Sequence, residues 1–170
     1  MLFPKIQMDQ VTKCTGIILA LGLSAGNADA ATATTTFAVQ LTITSSCVIN
    51  SASTLNFGSQ GVLTAAVNQT STIQVQCTNT SPYNIGLNAG TATGATVTTR
   101  KMTNGAATVS YSLYSNAGMT TNWGNTVGTD TVSGTGNGAS QSYTVYGQIP
   151  AQTTPAAGAY SDTITVTVTY

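Results

Sequence analysis

Histidine and glutamate are absent from this sequence, and its 170 residues include only four Lys or Arg and four Asp. Without an imidazole there is no Ser-His-Asp or Cys-His arrangement, and without glutamate no paired-glutamate acid and base. Asp130 and Asp162 form a carboxylate pair only if the fold brings them together, and "DTVSG" around Asp130 reads as a polar loop. No catalytic residue is assigned and no enzyme activity is expected. A formal net charge of zero with no basic patch excludes electrostatic capture of nucleic acid or of an acidic membrane surface. The basic doublet Arg100-Lys101 reads as a solvated turn.

Long apolar runs are also missing. The longest, "GIILALGLSA" over residues 16–25, is half the roughly 20 residues that a membrane-spanning helix needs. Preceded by Lys5 and Lys13 and followed by the small residues of "ADA" at 28–30, it has the layout of a secretory leader. Residues 1–30 are therefore set aside as a signal peptide, and a soluble exported chain is expected from about Ala31. It keeps four charged side chains, Arg100, Lys101, Asp130 and Asp162.

Cysteine is scarce too. Removing the leader and its Cys14 leaves Cys47 and Cys77, an even pair in an oxidising compartment, which reads as a disulfide rather than two buried thiols. No His or acidic residue accompanies them, so no metal site is expected. "GTGNG" in residues 134–138 lacks the following helix and Gly-Lys-Ser/Thr ending of a phosphate loop. No cofactor and no small-molecule substrate are implied. Two matches to the glycosylation pattern, at Asn68 and Asn79, matter only in a eukaryotic secretory route.

What is abundant is threonine, 34 in all, and with Val, Ile and Tyr it favours strands. Strands are expected at residues 34–44, 47–50, 54–59, 69–78, 81–90, 107–115, 140–150 and 161–170, with one or two edge strands within 91–102. In residues 69–78 Ile73, Val75 and Cys77 alternate with glutamines, which turns Cys77 toward the core. Residues 116–138, rich in Asn, Gly, Thr and Ser, read as a long loop or loosely paired hairpin. Trp123 within it reads as core or interface packing, with exposed contact to a sugar or surface as the alternative for Trp123 and Tyr114. Short strands at this spacing, without helical periodicity after the leader, indicate an all-β antiparallel sandwich or barrel.

The first and last strands match one another. In "TTTFAVQLTIT" Phe37, Val39, Leu41 and Ile43 share one face; in "SDTITVTVTY" Ile164, Val166, Val168 and Tyr170 do so. In an immunoglobulin-like sandwich a further strand would follow the last one; here the sequence stops, and an apolar groove beside an unpaired backbone edge is expected.

The cysteine soon after an alternating N-terminal strand, "LNFGS" at 55–59, "YSLYSNAGMTTNWGN" at 111–125 and "YTVYGQIPAQTTPAAGAYSDTITVTVTY" at 143–170 together resemble the spore coat protein U domain family, and most closely the major subunits of archaic, Csu-type chaperone–usher pili. The ending is the most specific part: Gly158, Tyr160, Asp162 and Thr163 in a G-x-Y-x-D-T pattern before the last strand. The resemblance implies an immunoglobulin-like sandwich lacking its final strand (residues 47–170) behind an N-terminal donor-strand extension (31–46). It further implies a structural pilus subunit with three partners: a periplasmic chaperone, an outer-membrane usher and neighbouring subunits. In that family a chaperone lends the missing strand, and the usher exchanges it for the N-terminal strand of the next subunit. Phe37, Val39, Leu41 and Ile43 match the donor pattern, and Ile164, Val166, Val168 and Tyr170 lie on the strand expected to border the acceptor groove. Surface adhesion and biofilm formation by an extracellular fibre follow. The alternative is a secreted coat or surface protein whose residues 34–44 complete its own sandwich.

Overall fold

Alternation of apolar and polar residues every second position sets the architecture of the computed structural model, which describes residues 30–170. The expected leader, apart from Ala30, lies outside the described residues. Every regular element described is a strand: β1 (Cys47–Ala52), β2 (Val67–Cys77), β3 (Pro82–Leu87), β4 (Arg100–Asn104), β5 (Ala107–Tyr114), β6 (Val132–Thr135), β7 (Ser140–Ile149) and β8 (Val166–Thr169). They form two antiparallel sheets, one of five strands in the order β1-β2-β7-β5-β4 and one of three in the order β6-β3-β8.

The chain divides into two units, residues 1–40 and 41–170. The described part of the first, residues 30–40, is exposed and contains no strand. The second holds the two sheets. Ile73, Val75 and Cys77 of β2, Val109, Tyr111 and Leu113 of β5, and Val145 and Ile149 of β7 project inward from the larger sheet, and Tyr83, Ile85 and Leu87 of β3 from the smaller. The period of two drives this: each inward set is apolar, the outward residues between its members apart from Gly86 and Tyr146 are Ser, Gln and Asn, and a one-residue slip would exchange the faces. Across the sandwich the Tyr83 and Tyr143 hydroxyls meet at 2.6 Å, with Gln141 Oε1 accepting from Tyr83 at 3.1 Å. Burial and the hydroxyl of Tyr143 push the Tyr83 phenol well above its ordinary pKa.

Several elements depart from sequence expectation. Residues 54–59 and 91–99 form no strand, and the strand expected at 161–170 is shortened to β8. Its beginning is used elsewhere: Ser161 pairs with Thr103 of β4, in the other sheet. Residues 34–44 pair with nothing and so form no strand among the described residues, because a lone extended segment has no ladder. Within residues 116–138 the chain makes β6 and buries Trp123, whose indole N–H donates to Ile85 O at 2.8 Å.

Arg100 corrects the reading of a solvated turn. It begins β4 and is completely buried. Its guanidinium donates to four carbonyls: Asn88 at 2.8 Å, Val97 at 2.6 Å, Leu87 at 2.9 Å and Trp123 at 2.7 Å. The reason is geometric, since a planar fork of five donors satisfies carbonyls that converge from the end of β3 (Leu87), from the irregular backbone between β3 and β4 (Asn88 and Val97) and from the loop between β5 and β6 (Trp123). Burial lowers its pKa, opposed by the charges of Tyr111, Asp130 and Asp162, and a guanidinium so held stays charged.

Candidate functional site: an apolar groove beside an edge strand

β8 is an edge strand, hydrogen-bonded among the described residues to β3 alone, in the register Leu87↔Val166, Gly86↔Thr167, Ile85↔Val168 and Asn84↔Thr169. Thr165 O accepts from Asn88 N at 3.2 Å. Antiparallel ladders alternate, so the backbone groups of Thr165, Thr167 and Thr169 serve β3 and those of Ile164, Val166 and Val168 face the free edge. An unsatisfied edge of this kind is a template for another strand.

Beside that edge runs a groove of about 1150 Å³. Its floor is apolar, with Ile73, Leu87, Val109, Leu113, Val145 and Ile149. One wall is the segment 52–61, where Leu55 and Phe57 point inward, and the other includes residues 154–164 and Val166. Phe57 meets Tyr111 edge to face at a centroid distance of 6.3 Å. The groove is bounded at one end: β1 and β8 approach within 8 Å Cα to Cα, less than the roughly 9.6 Å that two strands leave for a third between them.

Of the four residues expected on the bordering strand, Ile164 and Val166 line the groove. Val168 packs half-buried against the core, and Tyr170 is exposed. The four apolar residues of the N-terminal segment stand in solvent, Phe37 86%, Val39 84%, Leu41 84% and Ile43 77% exposed. Cys47 and Cys77 are disulfide-bonded partners in the β1–β2 register.

Asp130 and Asp162 do not form a pair. Asp130 Oδ1 accepts from Thr126 N–H at 2.7 Å within its own loop. Asp162, at the groove rim, accepts at Oδ2 from the Tyr111 hydroxyl at 2.8 Å. At Oδ1 it accepts from Thr91 N–H at 2.8 Å, Thr91 Oγ1–H at 2.9 Å and Thr163 N–H at 2.8 Å. Desolvation first, then the Asp162 hydrogen bond and charge, raise the Tyr111 pKa far above its ordinary value. In the same stretch the Tyr160 hydroxyl donates to Ala156 O at 2.7 Å, and Gly158 packs against the Asn104 side chain. The G-x-Y-x-D-T signature is thus a set of contacts that fix the segment leading into β8. Leu55, Phe57 and this Asp162 cluster were missed by sequence reasoning. The alternation of Leu55 and Phe57 was visible in it, whereas the partners of Asp162 were not.

The fold is similar to the CsuC–CsuE chaperone–tip adhesion subunit pre-assembly complex from archaic chaperone-usher Csu pili of Acinetobacter baumannii, with TM-score 0.55 and 26% identity. That match covers 76% of this chain and 40% of the other. The chain thus spans less than half of that structure's chain. Among curated proteins it is 35% identical over 158 residues to "Protein U" of Myxococcus xanthus, covering 84% of this chain and 88% of that one. The family model of the Spore Coat Protein U domain matches residues 33–167, nearly all of the described sequence, and the chain belongs to that family.

Proposed function

We propose that this protein is a structural subunit of a chaperone–usher pilus that polymerises head to tail, residues 34–44 of one copy filling the groove of the next. The observation that carries the reading is the pairing of two incomplete parts in one chain. One is an exposed segment with four large apolar groups at every second position, the other an apolar groove along a strand with a free backbone edge. Strand addition satisfies both, since backbone hydrogen bonds to β8 supply affinity and alternate side chains fill the floor. Burying Phe37, Val39, Leu41 and Ile43 contributes roughly 6 to 12 kcal/mol before ordering costs.

Chain length favours exchange over self-completion. Ile43 is four residues from Cys47 and reaches at most about 14 Å from it. The groove wall starts at Ala52, five residues along β1 and roughly 17 Å away. The arm of the same molecule is therefore tethered too closely for Ile43 to reach Ala52, whereas a neighbour's arm carries no such tether.

In this reading residues 1–30 are the export leader, 31–46 the donor arm and 47–170 the pilin domain. A periplasmic chaperone fills the groove first, as the similarity to a chaperone–subunit complex supports, and an outer-membrane usher exchanges it for the next arm. The product is an extracellular fibre serving adhesion and biofilm formation. The role is structural, with no reaction catalysed.

The test uses purified residues 31–170. Ladders or fibres are expected in the absence of chaperone, and excess peptide of residues 34–44 should cap them to single subunits. A stable monomer, with residues 34–44 protected from protease and no response to peptide, would establish the self-completed coat protein instead.

A further inference from the structure

The chain changes sheets between Ser161 and Val166. Ser161 exchanges both backbone hydrogen bonds with Thr103 of β4, at 2.9 and 3.2 Å, and Val166 already pairs with Leu87 of β3. Asp162 sits at the crossing. Its Oδ2 is bound by the hydroxyl of Tyr111, on β5 of the five-stranded sheet, and its Oδ1 by the backbone and side chain of Thr91, just beyond β3 of the other. One carboxylate therefore ties both sheets together, and both Asp162 and Tyr111 line the groove.

The surroundings are shaped to this contact. Gly90 takes φ of +86°, and a Cβ there would overlap the Asp162 carboxylate, so glycine is required both for backbone conformation and for space. The buried Arg100 guanidinium has no directly bonded counter-ion among the described residues, and Asp162 is one of the two carboxylates whose charge acts on it. The apolar lining of the groove favours approach of its walls, because contact between them would remove apolar surface from water. The ties at the Asp162 rim and at Tyr83–Tyr143 oppose that approach with directional bonds.

We propose that Asp162 is a positioning residue for strand uptake: by bridging Tyr111 and Thr91 it sets the separation of the two sheets at the groove rim and keeps the groove wide enough for an incoming strand. This rests on the strand-exchange reading above and adds a residue-level control to it.

The experiment measures association of a fluorescent peptide of residues 34–44 with chains 31–170 whose own arm is disabled by Leu41→Asp and Ile43→Asp. In that background Asp162→Asn, which places an amide NH₂ or a single carbonyl where two oxygens accept, should slow uptake at least tenfold. Tyr111→Phe, which removes only the hydroxyl and keeps the packing, should slow it comparably. The double variant should be little slower than either single one, because both break the same bridge. Melting of the peptide-filled forms is recorded in parallel. An uptake rate within twofold of the parent for Tyr111→Phe, or loss of thermal stability without change of rate, overturns the positioning role. No uptake by the parent itself would instead overturn the strand-exchange reading on which it rests.

Discussion

Replacing Leu41 and Ile43 by Asp should separate folding of the subunit from its assembly. Both side chains are exposed, 84% and 77%, so their removal takes no packing from the described fold. Stability of the free subunit should stay within about 0.5 kcal/mol of the parent, as for other surface changes. In the fibre the same side chains leave water. Each contributes roughly 1.5 to 3 kcal/mol on burial, so losing both costs about 3 to 6 kcal/mol. Since every 1.4 kcal/mol is tenfold, arm affinity should fall by roughly two to four orders of magnitude. The carboxylates add to this, because burying an unpaired charge costs more than leaving a hole. Size exclusion and electron microscopy of residues 31–170 would follow assembly, and urea unfolding the stability. Fibres of normal length from the double variant would refute the reasoning. So would a large loss of stability in the free subunit, because it would mean that the arm already packs against its own domain.

Four further outcomes follow from the structure. Cys47→Ser with Cys77→Ser opens a disulfide with a sequence separation of 30 and should lower stability by roughly 3 to 4 kcal/mol, read from the denaturation midpoint of residues 31–170. Arg100→Met strands four carbonyls, two of them in buried and two in part-buried hydrogen bonds, and should cost about 3 to 5 kcal/mol; denaturant melts should show it beside an unchanged Lys101→Met control. Gly90→Ala forces a Cβ into the Asp162 carboxylate and an L residue into positive φ, so it should destabilise by more than 1 kcal/mol and shift the Tyr111 ultraviolet absorbance. Tyr83 and Tyr111 both have raised pKa values, so their stabilisation is complete below about pH 10 and is lost as pH rises above it. There the unfolded chain releases protons that the folded one keeps, and each tyrosine contributes a fall of about 1.4 kcal/mol per pH unit. Urea midpoints from pH 9 to 11 should fall, and less steeply for Tyr111→Phe.

Much of the fold was legible because a two-residue period marks buried faces directly. Ile73, Val75 and Cys77, or Val109, Tyr111 and Leu113, announce a strand and the face it buries without reference to any partner. The disulfide was legible from an even cysteine count once the expected leader is set aside. Less visible were features that depend on who the neighbours are. Arg100 looks like any polar turn residue until Leu87, Asn88, Val97 and Trp123 are seen to converge their carbonyls on it. β6 lies in a stretch of Ser, Gly and Thr with almost no apolar signal, and it is a strand because β3 offers it an edge.

Composition and periodicity by themselves indicated that the described residues are all-β and that the chain lacks histidine and glutamate, and they marked a conspicuously apolar segment at residues 37–43. These are local properties, written in residue type and spacing. Only the tertiary structure decided that β8 keeps a free edge, that residues 52–61 stand opposite it to make a groove, and that Asp162 joins the sheets where the chain crosses between them. Those facts concern the meeting of segments from about 50 to more than 100 residues apart, and a contact at that separation depends on topology, which no short window of sequence contains.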